Sequence, residues 1–182
     1  MKLNAMKFVP LIILLFMLQG YESQPFKMIK SYDNFEIRYY PSVAMVQTQS
    51  SPGSEQNFRK LFQYISGSNE SNLKIAMTTP VHMEKTAGNE KMSFVLPSNI
   101  KQAPSPQNKS VKIIQSKKAY FAAIEYGGYS NTSKVNYYTK LLQESLEENK
   151  IKFTGPPVVL GYNSPYKFFN RRNEIIIEVD YE

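Results

Sequence analysis

The chain carries one imidazole, His82, and no cysteine in 182 residues. A lone histidine can serve once as an acid–base group or give one nitrogen to a metal. It excludes every two-histidine metal motif. Without cysteine there is no disulfide, zinc–thiolate site, iron–sulfur cluster or thiol nucleophile. Glu125 and Tyr126, beside Gly127-Gly128, offer a carboxylate and a phenol that could move a proton, or they are ordinary strand residues. No serine–histidine–aspartate set can be built round His82, and neither a phosphate-loop nor a calcium-loop spacing occurs. No catalytic residue is assigned. The other loaded stretch follows Ser164-Pro165. Tyr166, Phe168 and Phe169 put three aromatics in four residues, with Lys167 between them and Arg171 just after. Such a run favours a contact surface.

Periodicity places these groups on elements. Residues 26–30 and 35–40 flank a polar turn and read as a hairpin, and 43–48 as a further strand. Ser54 can cap a helix that begins at Glu55, with Phe58, Leu61, Phe62 and Ile65 as one apolar stripe and Gly67 as its stop. Residues 73–81 and 91–97 are extended, and by strand parity His82 points opposite Met77 and Met83. The order then recurs. Strands at 111–114 and 119–126 precede a helix opened by Asn131 or Thr132. Its inner stripe is Val135, Tyr138, Leu142, Leu146 and Asn149, broadened by Leu141. Strands at 158–162 and 173–180 follow, separated by the 163–170 loop. The reading is α+β: two β-α-β-β pseudo-repeats behind an opening hairpin, with mostly antiparallel strands and two outer helices.

The first residues read as an address. Lys2 and Lys7 precede an apolar run at 8–18, which is shorter than the roughly 20 residues a membrane-spanning helix needs. Residues 1–23 are expected to be a signal peptide, cut after Gly20 or Ser23, and 24–182 the folded domain; an uncleaved anchor is the alternative. Export is therefore expected. Loss of 1–23 removes two of 22 cations and one of 15 acids, so the net charge falls only from +7 to +6. Scattered lysines without a basic helix argue against nucleic acid. They are compatible with a weak, salt-sensitive attraction to an anionic membrane surface.

Seven blocks, in order, resemble the SOUL haem-binding protein family over about residues 27–181. They are Tyr-Asp-Asn-Phe-Glu-Ile-Arg-Tyr-Tyr-Pro at 32–41, the helix 58–67 with Asn69 after it, and Lys-Ile-Ala-Met-Thr-Thr-Pro-Val at 74–81. The rest are Phe-Val-Leu-Pro at 94–97, Gly-Gly-Tyr at 127–129, Gly-Tyr-Asn-Ser-Pro at 161–165 and Arg-Arg-Asn-Glu at 171–174. One departure is Thr79, where the family usually has alanine. The resemblance implies a distorted antiparallel β-barrel flanked by two helices. It also implies non-covalent binding of haem or another tetrapyrrole, as carrier, buffer or scavenger.

In the resembling proteins an apolar cleft lies between the first helix and the loop before the last strand. The matching positions are Phe58 and Phe62 on the helix and Tyr166, Phe168 and Phe169 in the loop. Aromatic walls suit a flat apolar ring, unless Phe58 and Phe62 simply pack the helix onto the sheet. Arg59, Lys60, Lys167 and Arg171 are cations near those walls and could pair the ring's propionates, although Arg171 could instead form a structural ion pair with Glu174. His82 is the one nitrogen the chain could offer to haem iron, and the family supplies no consistent axial histidine there. The expected binding is therefore mostly apolar burial. The rival readings are a protein- or membrane-interaction module built on the same aromatic loop, and a small-molecule hydrolase using Glu125.

Overall fold

The computed structural model describes residues 21–51, 56–164 and 166–181. Residues 1–20 of the expected signal peptide and the cap expected at Ser54 lie outside them. The strands are β1 (Glu22–Ser23), β2 (Lys27–Ser31), β3 (Glu36–Tyr40), β4 (Ala44–Ser50), β5 (Thr78–Thr79), β6 (Val81–Thr86), β7 (Asn89–Val95), β8 (Val111–Gln115), β9 (Ala119–Gly127), β10 (Phe153–Gly161) and β11 (Arg172–Val179). The helices are α1 (Gln56–Ile65) and α2 (Thr132–Glu148).

Nine strands form one antiparallel sheet in the order β2-β3-β9-β11-β10-β6-β7-β4-β8, while β1 and β5 pair separately and in parallel. The pseudo-repeat is plain in this order. In the first half β4 pairs with β7, and β7 with β6; in the second β9 pairs with β11, and β11 with β10. The halves join antiparallel at β6 and β10. The leading strands exchange sides: β3 edges the second half and β8 the first. Among the described residues no ladder joins β2 to β8, so the sheet is not closed into a barrel. It does curve, because Tyr40, Met45, His82, Phe121, Val158 and Ile176, from six strands, line one small hollow on its inner face.

Strand alternation splits the side chains between the two faces. On the outer face α2 covers Ile37, Ala122, Ile124, Tyr126, Ile175 and Ile177, with Leu142 and Leu146 buried from the helix side. Asn131 caps α2 from an extended conformation, its Oδ1 accepting the Lys134 N–H at 2.9 Å. The expected stripe holds at Val135, Tyr138, Leu141, Leu142 and Leu146. Asn149 is exposed instead, and Ser145 is buried, bonded to Asn34 and to the Leu141 carbonyl.

On the same face α1 covers Val46, Phe94, Leu96 and Val111. Its buried residues are Asn57, Leu61, Tyr64 and Ile65, which displaces the expected stripe by part of a turn. Two polar anchors set that rotation. Tyr64 Oη donates to the Pro104 carbonyl at 2.9 Å, and Asn57 Nδ2 donates to Ser50 Oγ at 2.8 Å. Phe58 and Phe62 are left on the flank. Gly67 ends the helix with φ at +115°, a region that disfavours a side chain.

Two further differences are local. The extended run expected at 73–81 is strand only from Thr78, and β6 runs on to Thr86 before it turns into β7, which overlaps the stretch expected at 91–97. Tyr21 to Gln24 belong to the folded body: Glu22 and Ser23 pair with Thr78 and Thr79, and the Gln24 N–H donates to the Thr79 carbonyl at 2.8 Å. A boundary at 24 would cut through that pairing.

Candidate functional site

The flank left open by the rotation of α1 is the wall of a cleft of about 380 Å³. Phe58 and Phe62 stand one turn apart with ring centroids 5.9 Å from each other and planes 13° apart; they are 42% and 49% exposed. Phe94 meets Phe58 edge-on at 5.3 Å and ties the pair to the core. The strand side supplies Met77, Thr79 and Val81, every second residue of one extended segment. Gly161 and Tyr162, at the end of β10, form the floor, with Asn163, Ser164 and Tyr166 on the far rim. A Cβ added at Gly161 would stand 3.2 Å from the Met83 methyl, so glycine keeps that floor low.

Three expected residues, Phe58, Phe62 and Tyr166, thus meet at one cleft. The others are placed differently. Arg59 and Lys167 are exposed and do not line it, nor do Phe168 and Phe169. Arg171 turns back on its own loop. Its Nη1 donates to the Ser164 and Lys167 carbonyls, both at 2.7 Å, and its guanidinium lies 4.4 Å over the Tyr129 ring. The ion pair foreseen between Arg171 and Glu174 belongs to Arg172 instead.

Glu174 is fully buried beneath the cleft floor, on the inner face of the sheet. Its Oε2 accepts from Arg38 Nη1 at 2.9 Å and Tyr162 Oη at 2.8 Å, and its Oε1 accepts from Arg172 Nη2 at 2.5 Å. Every lone-pair direction that matters is engaged, as a buried carboxylate requires. Burial and the Glu174 charge push the Tyr162 phenol well above its ordinary range, so Tyr162 remains a neutral donor. Burial works against the charge of Arg38, but Glu174 and Tyr40 outweigh it and hold the guanidinium protonated. The floor of the cleft is thereby fixed from below.

His82 faces away from the cleft. Val81 lines the cleft, and the next residue of β6 must point to the other face. There the His82 Nε2 lies 2.6 Å from Gln24 Oε1, in a hollow with Tyr40, Met45 and Lys117. Burial pulls its pKa down to about 4. The parity argument that separated His82 from Met77 and Met83 holds, and it removes His82 as an iron ligand for anything seated between α1 and the 163–170 loop. The Glu125–Tyr126 pair fails for the same reason. Glu125 is held by Arg172 at 3.0 Å, while Tyr126 stacks on Tyr138 on the opposite face.

Tyr21, Met77, Thr79 and Tyr162 were missed as cleft residues. The period-two spacing of 77, 79 and 81 was the available signal for two of them. Tyr21 lay inside the stretch read as leader.

Among solved structures, a hydrolase from Listeria innocua superposes with a TM-score of 0.57 at 12% identity, covering 83% of this chain and 94% of that one. The EcmrR C-terminal domain does so with a TM-score of 0.59 at 12% identity, covering 81% and 98%. At such identities the likeness is of fold alone. Two sequence relatives are nearer. Heme-binding protein 2 of Homo sapiens is 29% identical over 161 residues, 78% of this chain and 76% of its own length. Heme-binding protein 1 of Xenopus tropicalis is 26% identical over 154 residues, 78% and 81% of the two. The sequence model described as SOUL heme-binding protein matches residues 21–178, and the chain belongs to that family.

Proposed function

We propose that the protein binds haem or another tetrapyrrole, reversibly and without covalent attachment, in the cleft between α1 and the 162–166 segment. The observation that carries this reading is the stacked, half-exposed pair Phe58 and Phe62 facing Tyr166 across an apolar hollow. A folded domain has no structural use for two such rings left open to water, and a flat macrocycle would cover them. The volume lies within the range of small-ligand sites, and the wide mouth suits a ring whose carboxylates stay in solvent. Family membership and the names of the two relatives point the same way.

The residues present fit such a group. Phe58, Phe62, Met77 and Val81 would hold the ring, and Gly161 would let it approach the floor. Lys167, exposed and next in sequence to Tyr166 of the rim, is the cation that could meet a carboxylate. Bound haem would bring an iron centre whose ligation His82 cannot supply. Binding therefore rests on the apolar faces. Carriage or scavenging outside the cell follows if the leader is an export signal, and a cut after Gly20 is the one that keeps Tyr21 in the cleft wall. Family membership favours a binding protein over an enzyme, and Glu125, the carboxylate offered for catalysis, is tied to Arg172.

Absorbance titrations with haemin and with iron-free protoporphyrin test the reading. Saturation near one equivalent, with affinities alike within a few fold, is expected. Binding of haemin alone would overturn the apolar mechanism, and binding of neither would overturn the site.

A further inference from the structure

The loop beyond the cleft is left with residues that ligand binding does not use. Tyr166, Phe168 and Phe169 are 82%, 72% and 84% exposed, and only the first reaches the cleft. They are not held there by a floppy chain. Arg171 fastens the loop through two of its carbonyls and rests on Tyr129, itself half-exposed, so the aromatics stand out from a braced base. Phe168 and Phe169 have no aromatic partner within the described fold.

The charge around this end is one-sided. The stretches 56–69, 126–135 and 149–173, which supply α1, the region of Tyr129, and the loop, contain no aspartate or glutamate. They hold Arg59, Lys60, Lys134, Lys167, Arg171 and Arg172 among their cations. The Lys134 ammonium donates to the Gly127 carbonyl at 2.8 Å, two residues from Tyr129, so it belongs to the same end of the molecule. Arg172 is paired with Glu125 and Glu174, and the remaining cations of these stretches outnumber the acids. Exposed aromatics beside such an excess of cations match the interface of an anionic bilayer. There the rings sit at headgroup depth and the cations meet lipid phosphate and carboxylate.

We propose that the 166–169 loop docks the protein on an anionic lipid surface, with the mouth of the cleft turned toward the lipid. Resting on the ligand reading above, the consequence is that an apolar, membrane-partitioned macrocycle enters the cleft from the bilayer, passing Tyr166, which belongs to both loop and rim.

The chain has no tryptophan, so F168W provides a single reporter in the full-length protein. Its emission is read with vesicles of phosphatidylcholine alone, with vesicles that also contain phosphatidylserine, and with the same lipids brominated on the acyl chains. A Y137W reporter on the outer side of α2 serves as the comparison, since Tyr137 is as exposed but belongs to α2 and not to the loop. The expected result is a blue shift and bromine quenching for F168W on the phosphatidylserine vesicles, a fall in partitioning of roughly tenfold or more in about 1 M salt, and no shift for Y137W. An unshifted F168W reporter overturns the proposal and leaves the loop to a protein partner. Equal shifts at both positions overturn it as well, as adsorption without orientation. Haemin titration of the same variant separates the two readings: saturable haemin binding without lipid insertion would defeat the docking alone, and insertion without haemin binding would defeat the cleft.

Discussion

The two faces of β6 look into two hollows, and the contrast between them separates structure from function. Val81 looks into the outer cleft, where Phe58, Phe62, Met77 and Tyr166 offer apolar surface that no described residue covers. His82 looks into the inner hollow, about 110 Å³, where Gln24, Tyr40 and Met45 close around it. Below the cleft floor the buried polar groups are paired: Glu174 with Arg38, Arg172 and Tyr162, and Arg38 also with Glu36. Satisfied polar groups in a small space mark architecture. Unsatisfied apolar surface in a larger one marks a place for a ligand. Changes on the inner face should therefore cost stability, and changes on the outer face should cost binding.

The largest effect is expected at Glu174. Glu174→Ala leaves two guanidiniums facing each other under the floor and frees Tyr162. Removing one partner of a buried ionic cluster costs about 3–5 kcal/mol. Urea denaturation should show that loss, and a variant as stable as the parent would mean the inner face is not the structural one.

His82 should make the inner face sensitive to acid. Its folded pKa, about 4, lies below the ordinary value near 6.5, so the unfolded chain binds the extra proton between those limits. Stability from this group is complete above about pH 6.5 and is lost as pH falls toward 4. Allowing for partial exposure, the loss is about 2 kcal/mol. Glu84, Lys91, Lys117 and Tyr40 face the same space. His82→Gln removes the imidazole alone, so it should flatten the difference between urea midpoints measured at about pH 7 and about pH 4.5. An unchanged pH profile in that variant would assign the acid sensitivity elsewhere.

Arg171 lies between the two classes, a cation that supports a loop. Arg171→Ala removes two hydrogen bonds to carbonyls and a ring contact at a partly exposed site, a cost of about 1 kcal/mol. The sharper readout is chymotrypsin. Cleavage after Tyr166, Phe168 or Phe169 should accelerate several-fold while the global midpoint moves little. Haemin affinity that is unchanged in the variant fits a brace, and a large loss would return Arg171 to the role of a carboxylate partner.

Much of this was legible in the sequence because it is periodic. The two β-α-β-β halves, the α2 stripe at Val135, Leu142 and Leu146, and the opposition of His82 to Met83 all follow from repeat distances of 3.6 or two residues. What escaped was set by contacts distant in sequence. The rotation of α1 depends on Pro104 accepting from Tyr64 and on Ser50 accepting from Asn57, and no local pattern records either. Arg171 and Arg172 are equivalent in a string of letters. One points into the loop and the other onto Glu174 because alternation along the start of β11 sends them to different sides. Tyr21 was hidden by its neighbours, since the apolar run at 8–18 drew residues 1–23 into a single expected signal peptide.

The smallest change in stability and the greatest in function should come from the outer wall. Phe58 and Phe62 are each about half exposed, so truncating both gives up about half the burial of a core phenylalanine apiece, and the contact with Phe94 is the main loss. Area bookkeeping puts that near 1 kcal/mol per ring. Against a ligand the same rings are worth more, because the macrocycle would cover the half now wet and stack on both at once. F58A/F62A should weaken haemin and protoporphyrin together by roughly tenfold to a hundredfold, with circular dichroism and cooperative unfolding retained. L61A is the matched control. Leu61 is the fully buried neighbour on the same helix, so its truncation should cost about 2–5 kcal/mol and leave the affinity of the folded fraction unaltered. If instead F58A/F62A destabilises as much as L61A and binding survives, the open rings are part of the core, and the division between the two hollows fails.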